Sequence, residues 1–150
     1  EIHVKFTAVG MAGAGTAALP FAGLYSSSTT EGIVIREIKC FTLATNAARI
    51  RIVRATTAGT WTALTEKLTN PDGGPITGAA FITSSVAPTM EADEIDVGAI
   101  GAAIGSGFHY PYYGEGNGLW IPKGTGNGIV LIEEVDTANT YDFMFGWDPA

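Results

Sequence analysis

The sequence predicts an all-β fold: a single-domain antiparallel β-sandwich, a jelly roll of about eight strands with at most one short helix. Three observations lead there. The chain is 150 residues long, the length of one domain with a modest core. Ala (21), Gly (20) and Thr (18) dominate the composition, a small-residue, loop-rich mixture. Short apolar runs are punctuated throughout by Gly, Asn, Pro and Thr, the pattern of strands joined by turns.

Taken in order, the first strand is expected over residues 2–8. Residues 9–32, VGMAGAGTAALPFAGLYSSSTTEG, read as a long loop or an extended arm reaching a neighbour. Strands follow at 33–43 and 48–55. At 60–70, Trp61, Leu64 and Leu68 stand at helical spacing. The Thr content and the NPDGGP that follows favour an extended connection instead. Further strands are expected at 79–84 and 94–100; the alternative over 91–105 is a short helix, interrupted by Gly98, Gly101 and Gly105. The remaining strands are 108–113, 119–122, 129–134 and 140–147. The last is the clearest, because Tyr141, Phe143, Phe145 and Trp147 alternate with Asp142, Met144, Gly146 and Asp148. GEGNG at 114–118 and GTGNG at 124–128 repeat one five-residue pattern, and Asn-Gly predicts a tight hairpin turn at each. Pro122, which cannot donate to a ladder, belongs at an edge or a bulge.

Charge is thin and uneven. Charged residues make up 15%, against roughly 25% in an average domain, which predicts that a neighbouring subunit covers part of the surface. The net charge is −7. Residues 1–90 hold five acids and seven bases (+2), and residues 91–150 hold ten acids and Lys123 alone (−9). Nucleic acid is not an expected partner, since phosphate binding needs a basic stripe. Arg49, Arg51 and Arg54 are the nearest approach to one, and they read as a solvated strand face paired with acids of the C-terminal half. No apolar run approaches the ~18 residues of a membrane span, and no signal-peptide pattern is visible.

The residues offer no catalytic, cofactor or metal site, and no enzyme is expected. His3 and His109 form no HxH or HExxH pair, and Cys40 lies in an apolar strand as a small buried hydrophobe. GMAGAG at 10–15 matches neither dinucleotide nor P-loop spacing and reads as a flexible turn. The acids Glu91, Asp93, Glu94 and Asp96, and Glu133, Glu134 and Asp136, are candidate calcium ligands but lack EF-hand spacing and read better as solvated faces. The densest aromatic stretch is FHYPYYGEGNGLW, 108–120, whose Tyr and Trp suit a core, an interface or a sugar platform. Interface contacts are expected at Tyr110, Tyr112, Tyr113 and Trp120, with Phe21 and Tyr25 from the arm.

The segments RIVRATTAGT (51–60) and IPKGTGNGIVL (121–131), with the closing aromatic strand through Trp147, resemble small structural proteins of tailed bacteriophages. These are β-sandwich or jelly-roll proteins of the head-decoration or cement type. The resemblance runs over about residues 33–147 and rests on turn motifs. It implies a non-enzymatic virion subunit, assembled in the host cytoplasm, that binds copies of itself (a trimer or larger closed ring) and a major capsid or other virion protein. The alternative is a carbohydrate- or receptor-binding module of a fibre, or a secreted self-assembling surface subunit.

Overall fold

The computed structural model describes residues 4–112 and 118–150. The described residues form strands and connections without a helix: β1 (Phe6–Gly13), β2 (Ala22–Tyr25), β3 (Ile33–Thr42), β4 (Ala48–Ala55), β5 (Thr60–Ala63), β6 (Lys67–Leu68), β7 (Ala79–Val86), β8 (Met90–Ile100), β9 (Gly107–Pro111), β10 (Leu119–Ile121), β11 (Gly128–Glu133) and β12 (Thr140–Pro149). They make two antiparallel sheets packed face to face, an all-β sandwich. The first runs β10-β3-β12-β1-β6, with β9 also paired to β3. The second runs β5-β7-β2-β11-β4-β8.

The pairings are nested. β1 lies against β12, β2 against β11, β3 against β9 and β10, and β4 against β8. The chain is thus a long hairpin, rolled so that β12 also meets β3 and β11 also meets β4. β5 and β7 extend the second sheet beyond β2, and β6 caps the start of β1.

Alternation builds the core. On β12, Tyr141, Phe143, Phe145 and Trp147 all point inward and are at most 2% exposed. Ile50, Ile52, Ile129 and Leu131 of the second sheet meet them in one cluster. On β3 the inward set is Ile33 and Ile35, then Ile38 and Cys40, so the period slips by one residue. The register shifts there, with Gly146 opposite Glu37 but Trp147 opposite Ile35. Arg36 is the extra residue of this bulge, and its guanidinium reaches Asp148 at 3.5 Å. The slip leaves Glu37, Lys39 and Phe41 on the outer face.

Several expectations need correction. Residues 9–32 are not an arm: β1 runs to Gly13, so the glycines of GMAG are strand residues, and β2 sits inside the second sheet. The strand expected at 94–100 is present and begins earlier, at Met90, held along β4 in place of the alternative helix. The segment after Thr60 begins as β5, an edge strand on β7. GTGNG is no hairpin turn, because β10 belongs to the first sheet and β11 to the second. The chain instead turns at Gly124 (φ 113°), with the Asn127 amide donating to the Gly124 carbonyl at 3.0 Å, and crosses between sheets. GEGNG lies almost wholly outside the described residues. Pro122 does follow a strand that, among the described residues, pairs on one side only, β10.

Candidate functional site

The expected interface residues are mostly structural. Phe21 is fully buried, 4.8 Å from the Tyr141 ring and 6.4 Å from Phe143. It cannot contact another molecule, because it fills the gap between the sheets. Tyr25 is also buried, on the outer face of the second sheet. Its ring stacks on Trp61 (6.0 Å) and Phe81 (5.4 Å), and its hydroxyl donates to the Thr57 carbonyl. Burial pushes its phenol well above the ordinary range.

Tyr110 and Tyr112 close the sandwich between β9 and β8. The Tyr110 hydroxyl donates to the Val97 carbonyl at 2.6 Å, and the Tyr112 hydroxyl to Asp96 Oδ2 at 2.8 Å. Burial first, and then the neighbouring Asp96 carboxylate, raises both phenols. Tyr113 lies outside the described residues. Of the expected contacts, Trp120 alone is shown exposed, at 52%, and its carbonyl accepts from Arg54 Nη1 at 2.6 Å.

The charged groups sit in pairs. Arg49 reaches Glu94 (3.2 Å) and Glu134 (3.0 Å), Arg51 reaches Glu94 (2.9 Å), and Arg54 reaches Glu91 (3.7 Å). Each of those acids belongs to residues 91–150. The carboxyl of Glu94 is held below its ordinary range by its own backbone amide first, then by the two guanidiniums. Glu133 is fully buried at one end of the core, accepting from the Tyr141 hydroxyl and the Thr137 hydroxyl, each at 2.5 Å. Cys40 is buried, and its thiol is pushed up by burial and then by the charges of Asp142 and Glu133. Among the described residues, no group of three His, Cys, Asp or Glu side chains is placed to hold a metal.

What the fold leaves open is the outer face of the first sheet. Its register aligns Val9, Met144, Lys39 and His109 in one row, and Met11, Asp142, Phe41 and Gly107 in the next. Val9 is 64% exposed and Met11 60%. Beside them, Val9, Lys39, Phe41, Asp142, Phe143 and Met144 line a shallow recess of about 280 Å³. At the next row Glu37, nearly buried, accepts from His109 Nε2 at 2.5 Å and stands 3.7 Å from Lys39 Nζ. The face is therefore an apolar strip with a charged margin.

This strip was not anticipated from the residues. The signal was present, since β1 carries no charge on either of its faces, but its glycines read as a turn. No family model, curated protein or solved structure matches this chain.

Proposed function

We propose that this chain is a non-enzymatic structural subunit that assembles with copies of itself and binds a larger shell, as a head-decoration protein of a virion does. One observation carries the reading. The outer face of the first sheet exposes Val9 and Met11 beside an apolar recess, whereas on the second sheet Val53, Val130 and Ile132 are buried in one cluster with Tyr25, Phe81 and Trp61. A subunit that ends as part of an assembly leaves such a face for its neighbours. Trp120, half exposed on β10 of the same sheet, belongs to the contact surface in this reading.

The strand order supports the fold that such subunits use. β1-β12-β3-β9 facing β2-β11-β4-β8 is the order made by rolling a four-rung antiparallel hairpin, which we read as a jelly roll with β5–β7 inserted.

The deciding measurement is absolute mass by light scattering across a concentration series. Self-association predicts a mass that rises to a fixed multiple of 15.6 kDa. A monomer at every concentration, with Trp120 fluorescence shifting on addition of a glycan, overturns the proposal in favour of a sugar-binding module.

A further inference from the structure

We infer that two copies of this chain join by antiparallel pairing of β1 with β1, continuing the first sheet across a two-fold axis at Met11. The inference rests on the self-association proposed above and specifies its geometry.

β1 pairs with β12 along its whole length, but on its other side β6 reaches only Phe6 and Thr7. Backbone groups of a strand point alternately to its two sides. The Lys5 carbonyl accepts from the Thr69 amide, on the β6 side, and the Ala14 amide donates to the Asn139 carbonyl, on the β12 side. Thr7, Val9, Met11 and Gly13 therefore aim their N–H and C=O groups away from β12. Among the described residues nothing pairs with Val9 or Met11 there, and both side chains are exposed.

An open strand edge attracts other strands, and proteins blunt edges with charge, proline or brevity. The other edges carry these devices. β8 bears Glu91, Asp93 and Glu94; β5 is four residues long and β6 two; β9 is five residues long and ends at Pro111; β10 is three residues long and is followed by Pro122 and Lys123. β1 carries none of them. No charged residue occurs from Phe6 to Thr30.

That absence also selects the occupant. A chain of net charge −7 repels its copies over most of its surface, and the uncharged edge is where two can meet without opposing like charges. The register follows from β6. Lys67 already lies opposite Thr7, so a second β1 must avoid that position. Placing Met11 on the axis pairs Val9 with Gly13 of the second copy, Met11 with Met11, and Gly13 with Val9. Three consecutive bonding pairs form, clear of β6. Beyond them the chain turns away at Gly15 (φ 69°). The exposed Val9 and Met11 side chains of both copies then form one strip with Met144. A two-fold join of this kind closes at two copies, so it replaces the trimer expected from the sequence.

The test is site-directed cross-linking of the full chain. In Met11→Cys, the two new thiols sit on a bonded pair with Cα atoms about 5.5 Å apart, within disulfide reach. Mild oxidation is expected to convert most of the protein to a covalent dimer on a non-reducing gel, while buried Cys40 stays unreactive. Val9→Cys places its thiols four residues out of register, roughly 13 Å apart, and is expected to cross-link at least tenfold less. Met11→Pro removes an N–H that the folded chain does not use, so near-ultraviolet circular dichroism should be retained while the dimer weakens at least tenfold. If the wild type is oligomeric but Met11→Cys cross-links no better than Val9→Cys, the β1 edge is the wrong surface and self-association stands. The same follows if folded Met11→Pro dimerises normally. A wild type that is monomeric throughout overturns both.

Discussion

The outer faces of the two sheets are built from similar residues and end in opposite states. On the second sheet Val53, Val130 and Ile132 point outward, yet each is fully buried. The rings of Tyr25, Phe81 and Trp61 lie over the sheet in a mutual stack, with centroids 5.4–6.0 Å apart. On the first sheet Val9 and Met11 also point outward, and they are 64% and 60% exposed. Apolar content alone therefore does not decide whether the outer face of a sheet is covered. What matters is whether the sheet carries large rings that fold back over their neighbours.

The sharpest way to break this comparison is to truncate one apolar residue from each face. Phe81→Ala removes a fully buried ring and opens the stack, and is expected to cost about 3–5 kcal/mol of folding stability. Met11→Ala removes a side chain that is 60% exposed in the isolated chain, and should change monomer stability by less than about 0.5 kcal/mol. Urea denaturation at a concentration low enough to keep the chain monomeric measures both. Comparable losses would mean that the two faces do not differ as described.

A gentler probe uses glycine. Aromatic rings lie flat on the second sheet because glycines sit beneath them: Phe81 crosses Gly23, and Tyr25 crosses Gly128. A Cβ at Gly23 would run into the Phe81 ring and stand 2.9 Å from the Ile129 carbonyl. Gly23→Ala is expected to destabilise by about 1–3 kcal/mol through overpacking. Gly13, at the end of β1, has nothing within 4 Å of the same atom and no positive φ. Gly13→Ala should therefore be neutral or stabilise by about 0.4–1 kcal/mol, by restricting the unfolded chain. Thermal unfolding of the two variants side by side checks the contrast.

These glycines show where the sequence could and could not be read. Period-two alternation located most strands, and β12 above all, because four aromatics on alternate positions admit one arrangement. Glycine misled in both directions. GMAG read as a turn is the second half of β1, and AGLY, inside a supposed arm, is the buried strand β2. Small residues give a strand no hydrophobic pattern of its own, and their role appears only once the ring that crosses them is known. That ring comes from a distant strand, as Phe81 does for Gly23, and no local spacing encodes it. The partners of Tyr110 and Tyr112 were not legible for a related reason: their hydroxyls find Val97 and Asp96 on the other sheet. For the site the legible part was smaller still. The bulge at Arg36 moves Phe41 and Lys39 to the outer face, and only the break in the Ile35–Ile38 spacing hinted at it.

The smallest effect tests how well the second sheet is sealed against water. Burial raises the Tyr25 phenol above its ordinary value, which is about 10, so the folded state keeps this proton after the unfolded state has lost it. Stability from this group is fully present below pH ~10 and is lost as pH rises above it, because ionisation then favours the unfolded chain. Tyr25→Phe removes the hydroxyl and its 3.3 Å bond to the Thr57 carbonyl, at an expected cost of about 0.5–1.5 kcal/mol at neutral pH. It also removes the alkaline penalty, so the gap between wild type and variant should narrow as pH rises above ~10. Chemical denaturation at pH 7, 9 and 11 measures that gap, and phenolate absorbance at 295 nm follows the proton directly. A gap that stays constant with pH would mean that water reaches the Tyr25 hydroxyl, and the second sheet's outer face would then be as open as the first.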